Sequence, residues 1–126
     1  MSTRAQKAGA AGIVIDGRFR DIKEHDELGI GLFARGTSIL GSHSFTRSSE
    51  LDVPVSYNQE GLEEETVKIN PGDIIVGDAD GVVAIPSHLA EECAKLCDSR
   101  WNVDEATRQC ILDGEDIGPV IQNLRR

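Results

Sequence analysis

Aromatic side chains are scarce in this 126-residue chain, which holds one Trp, one Tyr and three Phe. A core cannot be built around stacked rings, so its apolar material is mostly Val, Ile, Leu and Ala, a mixture suited to sheets covered by helices. Cationic excess is missing as well. Lys and Arg number 13 against 22 Asp and Glu, a formal net charge of −9. That sign repels phosphate backbones and gains nothing at anionic membrane surfaces, so neither nucleic acid nor membrane is an expected partner. The cations are scattered, with Arg125-Arg126 the one adjacent pair. No apolar run approaches membrane-spanning length. Cysteines are few and odd in number: Cys93, Cys97 and Cys110. With no apolar leader, that count argues against a secreted disulfide framework and for a soluble, cytoplasmic protein. Cys93 and Cys97 share a helix face, but no His or further Cys completes a zinc tetrad, so small apolar core residues are the expected reading.

The length is that of one domain, residues 1–126. Along it, an Ala-rich segment from Thr3 to Ala8 reads as the end of a helix closed by Gly9 and Gly12. Gly12 to Ile15 is a short apolar strand expected to stop at an Asp16-Gly17 turn. Asp21 is placed to cap a helix over 22–28, with acids near its start. Leu32 to Ala34 is a second strand, and 36–50, rich in Gly, Ser and Thr, a loop. Val53 to Tyr57 and Thr66 to Ile69 follow as strands, the acids Glu63-Glu64-Glu65 before the latter reading as a solvated turn. Strands at 74–76 and 82–85 are set off by the turns Asn70-Pro71-Gly72-Asp73 and Asp78-Ala79-Asp80-Gly81, which implies antiparallel neighbours. Ser87 is a plausible N-cap for a long helix to about Asp113, stopped by Gly114. Its expected buried face is Leu89, Cys93, Leu96, Cys97, Val103, Ala106 and Cys110. The tail from Ile117 reads as a short docking segment or a frayed end.

The chemistry-bearing feature is Arg20-Asp21. A buried strand delivers the pair at its C-terminal end, where α/β proteins commonly bind ligands. Arg offers a planar fork for a carboxylate or an enolate oxygen. The adjacent carboxylate is a hard oxygen ligand for Mg²⁺ or Mn²⁺. Taken alone, such a pair after a strand is far more often a surface turn with a helix cap.

Five blocks in order change that balance: Ala8 to Gly17 (AGAAGIVIDG) with Arg20-Asp21, Leu32 to Gly36 (LFARG), Val53 to Val55 (VPV), Pro71 to Asp78 (PGDIIVGD) and Asp80 to Pro86 (DGVVAIP). The long helix with Glu105 and the terminal Gly114-Glu115 continue them. Together they resemble the RraA-like family, which includes 4-hydroxy-4-methyl-2-oxoglutarate aldolases with oxaloacetate decarboxylase activity. The resemblance implies an α/β fold, a swivelling β/β/α sandwich, assembled as a homotrimer with active sites between subunits. It implies a lyase that is Mg²⁺- or Mn²⁺-dependent and releases pyruvate from small 2-keto acids. Arg20 would hold the substrate's pyruvoyl oxygens and Asp21 the metal. An acid on a neighbouring subunit's C-terminal helix would complete the site, with Glu105 the candidate and Asp104 the alternative. The family's D-x20-R-D spacing, counted back from Arg20, passes Met1, and its Gly-rich substrate loop also lies upstream. The family's N-terminal portion is therefore expected to be missing and activity to be weak. A second class of function is a non-catalytic regulatory module, like the branch that modulates a ribonuclease by protein contact. That branch lacks the acid after the Arg, so Asp21 favours the aldolase side. A degenerate homologue without activity is the third.

The remaining candidates read more plainly. Asp73, Asp78 and Asp80 lack the spacing of a calcium loop and are expected to form turns. His25, His43 and His88 read as surface residues, with His43 in a loop that could approach a substrate. Trp101 suits either an interface anchor or the core.

Overall fold

The computed structural model describes residues 1–58 and 66–125. They fall into two units, Met1–Ala84 and Ile85–Arg126. The acid run Glu63-Glu64-Glu65 lies outside the described residues.

In the first unit, α1 (Ser2–Lys7) leads into β1 (Gly12–Phe19), α2 (Ile22–Leu28) and β2 (Gly31–Thr37). β1 and β2 pair in parallel, from Gly12 opposite Gly31 to Phe19 opposite Thr37. Parallel neighbours need a crossover, and α2 supplies it. Gly29 ends that helix in the left-handed region at φ 63°, ψ 22°. The Gln6 side-chain amide donates to the Leu28 carbonyl at 2.8 Å and ties α1 to the end of α2.

The expected turn at Asp16-Gly17 does not form. β1 continues through it, and the register slips between Ile15 and Arg18, so that Asp16 and Gly17 together oppose Arg35. A dipeptide suited to turns serves equally as a bulge, because both need backbone that leaves the regular ladder. Arg35 uses the opening. It pairs with the Asp16 carboxylate, donates to the Asn58 carbonyl and lies over the Tyr57 ring, 5.8 Å from its centroid.

β3 (Val55–Asn58) and β4 (Thr66–Ile69) form an antiparallel pair, and β5 (Ile74–Gly77) pairs with β6 (Val82–Ile85). Among the described residues β4 does not pair with β5, although the turn 70–73 joins them. That turn redirects the chain from one two-stranded sheet to another instead of closing a hairpin. Its Asp73 carboxylate accepts the Asn70 N–H at 2.8 Å, and Asp78 accepts from Asp80 N–H at 2.8 Å and Gly81 N–H at 3.2 Å. The acids do form turns. Phe33 packs so closely on Gly77 that a Cβ there would lie 2.5 Å from its ring.

In the second unit a single 3-10 turn, Ser87–Leu89, precedes α3 (Ala90–Leu112), and α4 (Ile117–Leu124) follows. Ser87 is therefore not the N-cap: Leu89 holds that place without a side-chain bond. The stop is as expected, with Asp113 at the C-cap and Gly114 at φ 91°. α4 packs on α3 with Val120 buried, so the tail is a docked helix. The expected buried face of α3 is corrected in part. Leu89, Leu96, Cys97 and Ala106 are exposed, whereas Thr107 is buried, its hydroxyl donating to the Val103 carbonyl at 2.7 Å. A Thr satisfied by its own helix loses the polar cost that kept it off the apolar list. Trp101 is 72% exposed, which removes the core reading for it.

Burial is thin. Among the described residues Ile30 and Val120 are the buried hydrophobic side chains.

Candidate functional site

β1 ends at Phe19, and its ladder with β2 extends one step further: the Ser38 N–H donates to the Phe19 carbonyl at 2.7 Å. This sets Arg20-Asp21 beside Thr37 and Ser38. Between the two segments lies an open cavity of about 550 Å³, walled by Arg20, Asp21, Lys23, Glu24, Thr37 and Ser38 among others. A second cavity, of about 500 Å³ beside Phe33, Arg35 and Tyr57, is not lined by Arg20 or Asp21.

Arg20 and Asp21 are brought together. Arg20 Nε stands 3.2 Å from Asp21 Oδ2, and the side chains are 55% and 49% exposed. At that exposure the pair is worth at most about 1 kcal/mol, so its loss costs the fold little. The Arg20 guanidinium lies over Gly41, whose Cβ position would be 3.5 Å from Nη1. A long side chain at 41 would compete for that seat.

Asp21 occupies the N-cap position of α2 but does not act as the cap. Its side chain makes no capping bond, and its backbone is left-handed at φ 65°, ψ 44°. The short Asp side chain tolerates that region better than most, yet a residue with a Cβ still carries strain there. The carboxylate faces Arg20 and the cavity instead of the helix amides. Of the acids on α2, Glu24 alone lies in the first turn, which corrects the expected clustering at the helix start.

Among the described residues no three His, Cys, Asp or Glu side chains gather in one place. Mg²⁺ does not require that, since it commonly keeps several waters and is held by one or two carboxylates together with the substrate. Asp21, half-exposed at a cavity mouth, fits this mode.

Glu105 and Asp104 lie on α3 and are both engaged. Arg108 grips Glu105, with Nε to Oε2 at 2.9 Å and Nη2 to Oε1 at 2.5 Å, and its hydrogen bond holds the carboxyl below the usual glutamate value. Asp104 accepts from Arg125 Nη2 at 2.5 Å.

His25 is not simply on the surface: it is half-buried, packs edge-on against Phe19 at 5.2 Å, and its Nδ1 is buried without a partner. His43 is exposed in a short 3-10 turn beginning one residue after Gly41, and His88 is exposed. Cys97 is exposed and Cys93 and Cys110 half-buried, so the three are not core residues as expected. Removal from water pushes the Cys93 thiol up, helped by a hydrogen bond with the free thiol of Cys97, and does the same at Cys110 beside Glu115.

Sequence reasoning missed Lys23, Thr37, Ser38 and Gly41 as neighbours of the corner. The signal for Ser38, an extra rung beyond the strand ends, is a matter of pairing register and leaves no mark in composition.

The family model described as RraA-like, Aldolase/RraA, matches residues 1–84. A protein of Halalkalibacterium halodurans named "Putative 4-hydroxy-4-methyl-2-oxoglutarate aldolase" is 38% identical over 109 residues, 86% of this chain and 48% of that protein. An uncharacterized protein of Methanocaldococcus jannaschii is 30% identical over 120 residues, covering 95% and 54%. The crystal structure of an uncharacterized protein from Pseudomonas syringae pv. tomato str. DC3000 superposes with a TM-score of 0.83 at 27% identity, covering 98% of this chain and 55% of that one. The chain thus spans about half the length of the relatives it matches. The α/β fold with small sheets and a long C-terminal helix is the expected one, and the chain belongs to the RraA-like family.

Proposed function

We propose that this chain carries part of a divalent-metal-dependent lyase site. Its substrates are read as 2-keto acids of the 4-hydroxy-4-methyl-2-oxoglutarate type and oxaloacetate, both giving pyruvate. One observation carries the reading: Arg20 and the left-handed Asp21 stand together, half-exposed, at a cavity mouth on the C-terminal end of β1. The relative named as an aldolase supports the reaction class.

Arg20 would bind the keto-acid head through its terminal nitrogens, as its Nε is already directed at Asp21. When the C–C bond breaks, its electron pair moves toward the 2-keto oxygen, and a fixed guanidinium stabilises the enolate charge that develops. The same charge develops whether the departing group is a carbonyl fragment or CO₂, which is why one corner serves both cleavages. Asp21 would hold Mg²⁺ or Mn²⁺, which when bound supplies Lewis-acid polarisation of the substrate. Thr37 and Ser38 offer hydroxyls on the facing wall.

A homotrimer is the assembly proposed, with Glu105 of a neighbouring copy, or Asp104, as the additional acid. Either must first be shared with its arginine, Arg108 or Arg125. Both units are read as belonging to one RraA-like domain, residues 1–126, acting in the cytoplasm. Among the described residues no helix is long and apolar enough to cross a membrane.

The test is pyruvate release from oxaloacetate with Mg²⁺, measured against a protein-free control because the substrate also decays unaided. Turnover above that control, lost in Asp21→Ala and Arg20→Met, supports the lyase. Rates equal to the control in all three proteins remove it and leave the non-catalytic module and the inactive homologue.

A further inference from the structure

We infer that Lys23 receives the second carboxylate of the substrate and so sets a preference for 2-keto dicarboxylates over monocarboxylates. This rests on the lyase reading of the Arg20-Asp21 corner and names a residue which that reading leaves without a role.

Charge on the cavity walls carries the argument. Arg20 and Lys23 are the cations, Asp21 and Glu24 the anions, and Thr37 and Ser38 are neutral donors. Arg20 is already placed: its Nε faces Asp21 at 3.2 Å and its guanidinium is seated over Gly41. One planar fork recognises one carboxylate or one keto-acid head. A dicarboxylate brings a second full charge several bonds away, which needs a cation of its own.

Lys23 is the cation left for it. Among the described residues it makes no ion pair, unlike Lys95 with Glu91, Arg108 with Glu105 or Arg125 with Asp104. Glu27, four residues on, is not paired with it among the described contacts. Its ammonium sits on a flexible stem, which suits a charge whose position differs between substrates of different length.

Glu24 sharpens the dependence. It lines the same cavity, so a second anion entering without Lys23 meets a like charge there. The hydroxyls of Thr37 and Ser38 can bond to a carboxylate, but they bond equally to a neutral carbonyl and cannot discriminate charge.

The test is binding, so that it does not depend on turnover. The full chain, with Mg²⁺ present, is titrated with pyruvate and with 2-oxoglutarate by calorimetry, as wild type, Lys23→Met, Lys23→Arg and Arg20→Met. Lys23 is exposed, so thermal melts are expected to overlay. The wild type should bind 2-oxoglutarate about two- to fivefold more tightly than pyruvate, Lys23→Met should erase that ratio by weakening the dicarboxylate alone, and Lys23→Arg should restore it. Arg20→Met should weaken both ligands. A wild type without preference, a ratio unchanged in Lys23→Met, or an equal loss on both ligands overturns the role of Lys23 while leaving the Arg20 result to judge the lyase reading. Failure of the wild type to bind either acid overturns both.

Discussion

Replacing Asp21 with glycine and with alanine removes the same carboxylate but leaves two different backbones. At φ 65°, ψ 44° a residue with a Cβ is strained by about 1–2 kcal/mol. Glycine escapes that strain but has more freedom to lose on folding, about 0.4–1 kcal/mol. The two terms leave alanine less stable than glycine by about 1 kcal/mol. The Arg20 contact is lost in both variants and cancels in the comparison. Its own worth is small, since the partners are 55% and 49% exposed. For a chain of this length the gap corresponds to about 3–5 °C in Tm. Urea and thermal unfolding followed by far-UV circular dichroism measure it. Metal-dependent pyruvate release is expected to vanish equally in both, so stability and activity part company. If alanine unfolds together with glycine or after it, Asp21 carries no backbone strain, and the case that this residue is kept for its chemistry loses its physical basis.

Gly77→Ala drives a Cβ to 2.5–3.0 Å from three atoms of the Phe33 ring, and should cost about 1–3 kcal/mol by urea midpoint, partly recovered by adding Phe33→Leu. Tyr57 is the one tyrosine, and loss of solvent, then the Asp16 charge, raise it above 10.0 against a smaller opposing effect of Arg35. The fold therefore favours the neutral phenol, and this contribution is present below the unfolded value and lost as pH rises through the folded one. Absorbance at the phenolate band should show a midpoint above 10.0 that falls in Asp16→Asn; a midpoint at or below 10.0 contradicts it. At Glu105 the sign reverses: Arg108 lowers the carboxyl, so its contribution is present above the unfolded value and lost as pH falls through the folded one. A carboxyl NMR titration should place Glu105 below 4.5 and return it there in Arg108→Met. Gly41→Ala should leave pyruvate release unchanged, since a Cβ at 3.5 Å from Arg20 Nη1 is ordinary contact, whereas Gly41→Leu should displace the guanidinium and cost up to about a hundredfold.

Apolar runs at 12–15, 32–34, 74–76 and 82–85 mark strands because each is short and apolar, and all but Leu32-Phe33-Ala34 concentrate Val and Ile. Gly114 marked the end of α3 because a left-handed residue there is nearly always glycine. Conformation that depends on partners was harder to read. Asp16-Gly17 looks identical as a turn or a bulge until the strand opposite is known, and β4 looks like a partner of β5 until β3 claims its edge. Asp21 stands at the start of α2, as its residue type predicts, but does not cap it, because the sign of φ that aims its carboxylate at Arg20 is not written in residue type. On α3 polarity alone favours burial of Ala106 over Thr107, and the fold does the reverse. For the site, the adjacent Arg20 and Asp21 were legible as neighbours in the chain. The wall opposite them was not, being set by one hydrogen bond between Ser38 and Phe19.

The surplus residue at Asp16-Gly17 acts as a phase shifter. Along β1, exposure alternates without a break from Gly12 to Phe19, even though β2 supplies one residue fewer across the same stretch. Excising Gly17 would mend the ladder and invert the parity of everything downstream: Arg18 would turn inward, Phe19 outward, and Arg20 would swing away from Ser38. A length change of one residue there would be more damaging to the corner than many substitutions, and only a compensating insertion before Arg20 would undo it.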